Sequence, residues 1–320
     1  MEDLPDGFGA ADLVTALRAF GVEAEQVTYA PVGFGDYHWS VLDADGRRWF
    51  ATASDPAGKE RGLAGLRQAM ETAAVLRERE GLEFVVAPVR SRAGDPVVET
   101  ARYAVTLFPW QPGEPGRFGD EQTPGERDQV LTLLADLHAR TPPETTPAVA
   151  LDIPQRDRLE DLLAHPAGEG PFSAEAAALL KEYGGAVRER LAEFDRLAGQ
   201  VRGNPPVVTH GEPHPGNLIR RDGRLLLVDW DTVGLAVPER DLAVVSADPA
   251  DLDAYTRATG RRVDPAAVAL YRLRWALADV AEFAVLLCGP HRRTPDTETA
   301  RRGLAWTVQS LATGPWSPRT

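Results

Sequence analysis

Lysine is nearly missing from this 320-residue chain: Lys59 and Lys181 are the only two, so almost all positive charge is arginine. A task that needs a compact ammonium in place of a planar guanidinium therefore has two candidates. The one cysteine, Cys288, cannot form an internal disulfide, and it leaves no P-C-x-x-C segment of the kind a zinc deaminase requires. No apolar run approaches the length of a membrane span, and the acidic start MEDLPDGFGA has neither the basic nor the apolar region of a signal peptide. A cytoplasmic protein is the expectation. The net charge of -13 argues against nonspecific nucleic-acid binding and favours a cationic small-molecule partner.

What is present is concentrated in VVTHGEPHPGNLIRRDGRLLLVDWDTVGLAVPERDLA, residues 207–243. Val207, Val208 and Thr209 lead into a loop in which Pro213, Pro215 and Gly216 forbid a helix. Two strand-like runs follow, Asn217 to Arg221 and Leu225 to Trp230, separated by the hairpin signal Asp222-Gly223. A two-residue turn sets Asn217 opposite Val228, and a three-residue turn sets it opposite Asp229. Either register leaves Asn217 and Asp229 roughly 5 to 8 Å apart. An amide oxygen and a carboxylate so placed suit Mg²⁺, with Glu212 beside them as a second carboxylate. The loop is not a zincin site, because HGEPH is not H-E-x-x-H and the prolines deny it a helix. An orienting acid, then Asn, then Asp is a phosphoryl-transfer layout.

His210-Gly211-Glu212, Asn217, Asp229-Trp230-Asp231 and the later Asp241 together resemble the aminoglycoside phosphotransferase and choline kinase family. The resemblance implies an α+β, two-lobed protein-kinase-like fold: an N-terminal antiparallel sheet lobe with a helix, and a mainly helical C-terminal lobe. It also implies ATP or GTP as phosphoryl donor with Mg²⁺, held by Asn217 and Asp229. Glu212 takes the position of the catalytic Asp, Asp231 matches a second acid after the metal-binding one, and Asp241 supports the loop. His210 is expected to be structural, its ring satisfied by the loop backbone.

Taken in order, the chain fits that plan. A short helix is expected over Ala10 to Phe20, then strands over Val27 to Val32, Tyr37 to Leu42 and Arg47 to Ala53, and a helix over Leu63 to Glu80. Gly33 and Gly35 make the turn that would cover nucleotide phosphates. Further strands are expected over Phe84 to Val89 and Tyr103 to Phe108. The stretch Leu107 to Trp110 would meet the purine. The lobes are thus 1–109 and 126–320, joined by a Pro/Gly-rich hinge at 110–125. Beyond it the pattern is mostly helical, with His138 expected as a helix-end residue favoured by the macrodipole. Along Tyr271 to Leu287, aromatic and acidic residues share a stripe on which Asp279 and Glu282, with Asp231, are candidates for the acceptor.

Three positions depart from the family pattern. Thr52 stands where the third strand normally carries Lys, with Lys59 the nearest lysine; Asp36 puts a carboxylate in the phosphate turn; and Glu212 is longer by one methylene than the usual Asp. Two readings follow. One is an ATP- and Mg²⁺-dependent O-phosphotransferase acting on a hydroxyl of a small molecule such as an aminoglycoside, an aminocyclitol, or another amine or sugar. The other is a pseudokinase that binds nucleotide or ligand without turnover.

Overall fold

The computed structural model describes residues 1–201 and 205–314. Helix α1 (Ala10–Ala19) precedes strands β1 (Ala24–Ala30), β2 (Tyr37–Asp43) and β3 (Arg48–Ser54), then helix α2 (Gly62–Glu78). Strands β4 (Val98–Glu99) and β5 (Ala104–Pro109) complete an antiparallel sheet of order β1-β2-β3-β5-β4. Alternation puts Trp39 and Val41 of β2, Ala51 and Ala53 of β3, and Val105 and Leu107 of β5 into one core, which Leu13 and Leu17 of α1 join.

The segment Phe84 to Val89, expected as a strand, makes only an isolated parallel bridge, Val85 to Leu227. Pro88 removes a ladder donor there, and the backbone divides its bonds: Val86 N–H donates to Leu227 and Val89 N–H to Leu107. In its place the edge strand is β4, too short to leave a pattern.

After β5, the Pro/Gly-rich stretch contributes β6 (Glu114–Pro115), followed by α3 (Pro124–His138), α4 (Arg156–Ala164) and α5 (Ser173–Gln200). Thr123 and Glu126 close a reciprocal capping box at the start of α3. Strands β7 (Val207–Thr209), β8 (Leu218–Arg221), β9 (Arg224–Leu227) and β10 (Gly234–Ala236) then lead to α6 (Glu239–Val245), α7 (Pro249–Thr259), α8 (Pro265–Cys288) and α9 (Pro295–Thr313).

The described chain divides into two compact units, residues 1–149 with 205–262, and residues 150–201 with 263–314. This division groups α3 and the 207–243 segment with the N-terminal sheet, and so follows a different line from the lobes set out above. The second unit is a helical assembly of α4, α5, α8 and α9. Leu180, Val187, Leu191 and Phe194 meet Leu277, Val280, Ala284, Leu304 and Val308 in its core.

Candidate active site

The hairpin β8–β9 closes through a two-residue turn, with Arg221 paired to Arg224 and both turn residues left-handed (Asp222 φ 49°, Gly223 φ 75°). That is the geometry Asp-Gly favours. The register follows: Val228 N–H donates to the Asn217 carbonyl at 3.0 Å, and Asp229 lies one residue beyond, itself left-handed at φ 63°. Asp has a short polar side chain that tolerates this region, and the turn swings the chain out of the ladder immediately after β9. Trp230 anchors the swing, fully buried, its indole N–H on the Leu227 carbonyl at 2.9 Å.

On the loop before β8, the Asn217 amide donates to the Glu212 carbonyl at 2.9 Å. One hydrogen bond thus fixes both residues relative to each other and leaves the Asn217 carbonyl oxygen as an acceptor. The His210 ring meets the Val228 carbonyl at 2.9 Å and packs edge-on against Trp230, so it is a brace between loop and hairpin. Burial depresses it to about 4, as it does His214, and both rings are neutral at physiological pH.

Behind the loop lies Asp241, which accepts from the His210 N–H at 2.9 Å, the Gly211 N–H at 2.6 Å and His138 Nε2 at 3.0 Å. Burial pushes this carboxyl upward, but the His138 bond and the nearby cations outweigh it and hold it below the usual range. His138 is therefore more than a helix end. It is buried, and its other ring nitrogen meets the Tyr255 hydroxyl at 2.7 Å, which joins α3 and α7 to the loop through Asp241. The single-helix reading missed this because its partners lie more than a hundred residues away.

The clearest cluster forms around Lys59, which follows the short turn after β3. Its ammonium lies 2.9 Å from Asp36 Oδ2 and 2.8 Å from Asp231 Oδ2. Asp36 also accepts from Ser54 Oγ at 2.9 Å, while its other oxygen is buried with no hydrogen-bond partner. The carboxylate in the glycine turn is thus turned inward, onto the lysine. Burial raises Asp36 against the pull of Lys59. Burial also pushes Asp231 up, but the Lys59 charge prevails and holds that carboxyl low. Lys59 is in turn kept well above its usual value by Asp231 and Asp36, against the opposing effect of its own burial. Arg61 adds a clamp, donating to the backbone carbonyls of Asp231 and Val233 at 2.8 and 2.9 Å.

Asp229 is solvent-accessible yet crowded by protein. Loss of surrounding water, then the charges of Asp231 and Glu212, push it well above the ordinary carboxylate range, with Lys59 opposing. Its neighbourhood is short of positive charge. Acid oxygens at Asp229 and an amide oxygen at Asn217 are the donor set a hard divalent cation takes, so the residues fit such an ion.

Of the other candidates, Gly33 and Gly35 adopt φ 69° and 99°, a conformation that needs glycine. Thr52 is buried on β3 and pairs with His38 Nδ1 at 3.0 Å. Trp110, past the end of β5, carries the Arg48 guanidinium 3.9 Å over its ring. Asp279 and Glu282 lie on α8 in the second unit.

Residues 26–284 match the phosphotransferase enzyme family, APH. StrN of Streptomyces griseus is 28% identical over 286 residues, covering 82% of this chain and 81% of that protein. Among solved structures, spectinomycin phosphotransferase APH(9)-Ia, in complex with ADP and spectinomycin, superposes with a TM-score of 0.74 at 14% identity, covering 96% of this chain and 99% of its own. Amicoumacin kinase hAmiN, in complex with AMP-PNP, Ca²⁺ and Ami, gives 0.62 at 14% identity, covering 98% and 96%. These structures share the kinase-like fold, a sheet-bearing N-terminal part followed by a mainly helical one. The chain belongs to the phosphotransferase enzyme family and is a small-molecule phosphotransferase.

Proposed function

We propose that the chain transfers the γ-phosphoryl group of ATP, or of GTP, to a hydroxyl of a small molecule in a Mg²⁺-dependent reaction. The observation that carries this reading is the hairpin register, which brings Asn217 and Asp229 to one end of β8–β9 while the Asn217 amide holds the Glu212 backbone. Asn217 and Asp229 would hold Mg²⁺, which when bound neutralises charge on the phosphoryl group in flight. The ADP, AMP-PNP and Ca²⁺ bound to the compared enzymes support this assignment of donor and ion.

Glu212 is the acid at the acceptor side. Its side chain is 40% exposed and accessible to a hydroxyl, which it orients or deprotonates. His214 Nε2, 4.0 Å from the Glu212 carboxylate, is neutral, so the contact is not an ion pair. The turn at Gly33 and Gly35 covers the phosphates, Thr52 and Lys59 stand behind them, and Trp110 borders the purine. The acceptor is a hydroxylated amine or sugar-like compound. The spectinomycin and amicoumacin enzymes support that class, as does a glucosamine kinase of Streptacidiphilus jiangxiensis that is 33% identical over 110 residues, 32% of this chain. The acidic net charge and the acids Asp279 and Glu282 on α8 lean towards a cationic one, whereas Asp231, expected as a third such acid, is tied to Lys59.

The test is a nucleotide-consumption assay across a panel of hydroxylated amines, aminocyclitols and amino sugars. Acceptor-dependent release of ADP that needs Mg²⁺ and disappears in Asp229→Asn is the expected result. Acceptor-dependent turnover that persists in that variant would remove Asp229 from the site.

A further inference from the structure

The strand position at which this family places a lysine holds Thr52, whose hydroxyl is engaged by His38. The lysine that comes nearest in sequence, Lys59, is the only lysine among the described residues of the first unit, where the other ammonium, the N-terminal one of Met1, is bonded to the Val32 and Gly33 carbonyls. It joins three segments far apart in sequence: Asp36 directly after the glycine turn, Lys59 itself after β3, and Asp231 beside Asp229.

We propose that Lys59 is the polyphosphate-binding cation of this enzyme, moved from the strand to the turn after it, and that Asp36 and Asp231 are its positioning residues. The inference rests on the nucleotide reading given above.

An ammonium carries three protons. Two are directed to Asp36 and Asp231, and solvent reaches a quarter of the side chain, so the third proton is available to an anion entering from outside. The same geometry accounts for an acid in a phosphate turn. Asp36 is buried, one of its oxygens has no partner, and Ser54 would be satisfied as well by an amide. A buried carboxylate left partly unsatisfied is costly, and the partner that demands a full negative charge here is Lys59. Pinned by two acids from different segments, the flexible lysine stem is held in one place before nucleotide arrives, which lowers the ordering cost of binding. Two carboxylates on one ammonium also leave the clasp net negative. A polyphosphate is therefore accepted together with its divalent ion and repelled without it.

The experiment compares affinity for Mg²⁺-ATP with affinity for adenosine, both by calorimetry, in the wild type, in Lys59→Met and in the double variant Asp36→Asn/Lys59→Met. The double variant leaves no unpaired charge at position 36 and so guards against misfolding of the single one. The expected result is that both variants lose roughly tenfold or more of Mg²⁺-ATP affinity while adenosine affinity stays within about twofold of wild type, because adenosine never meets the ammonium. A ratio of ATP to adenosine affinity equal to that of the wild type in both variants would overturn the proposal and leave the lysine as a structural tie alone. Wild-type protein that binds neither ligand overturns the nucleotide reading itself, before any variant is made.

Discussion

The acids around this site differ in what surrounds them. Asp231 and Asp36 are tied to Lys59, Asp241 is consumed by two backbone N–H groups and His138, and Glu212, with a side chain 40% exposed, is the acid proposed to meet the substrate hydroxyl. Glu212→Gln keeps the loop bond, which uses the backbone carbonyl, but removes the carboxylate proposed as base. Its turnover is expected to fall roughly 100-fold or more with Mg²⁺-nucleotide affinity nearly unchanged; steady-state kinetics beside calorimetry would read the split, and a full-rate variant would make Glu212 structural. The residues of this loop were legible in the sequence because prolines, glycines and an Asp-Gly turn fix local geometry without help from distant segments. Lys59 was legible only as a lysine out of place. Its partners stand 23 and 172 positions away, and nothing in a strand or helix period announces such a pairing.

Among the elements, the loop of residues 210–217 is held from two sides. On one side β6 pairs with β8, and a Cβ added at Gly116 would lie 2.3 Å from the Pro215 carbonyl. Gly116→Ala must therefore push the loop that carries Asn217, and displacement on the ångström scale costs up to about 100-fold in rate. Turnover is expected to drop well before the unfolding midpoint does, which parallel kinetic and urea-unfolding measurements would separate. On the other side stands Asp241. Asp241→Asn is expected to cost about 2 to 3 kcal/mol, measured by urea unfolding at neutral pH.

The pH dependence of that loss has a definite sign. The folded state holds the Asp241 carboxyl below its unfolded value, so its contribution is complete above the unfolded value and disappears as pH falls through the folded one. The stability gap between wild type and variant should therefore close below about pH 4. Helices and most strands of this assembly follow their sequence periodicity to within a few residues. The segment 84–89 does not, because Pro88 and two competing partners outweigh its apolar, β-branched composition.

For the molecule as a whole, the division by contacts shows what periodicity cannot. Residues 205–262 return to the unit built on the N-terminal sheet after the chain has passed through α4 and α5 of the other. The motif that names the chemistry and the sheet that supplies Lys59 thus form one compact body. Sequence reading placed its lobe boundary at the Pro/Gly-rich stretch 110–125 because such composition marks linkers. In the fold, part of that stretch is β6, paired to β8.

On the proposed function, this body binds a nucleotide through a metal held by Asn217 and Asp229. Calorimetric titration of the purified protein with ATP, with and without Mg²⁺, and then on Asp229→Asn, tests it most directly. The account predicts binding that requires Mg²⁺ and is lost in the variant. ATP binding that is indifferent both to Mg²⁺ and to the substitution would contradict it.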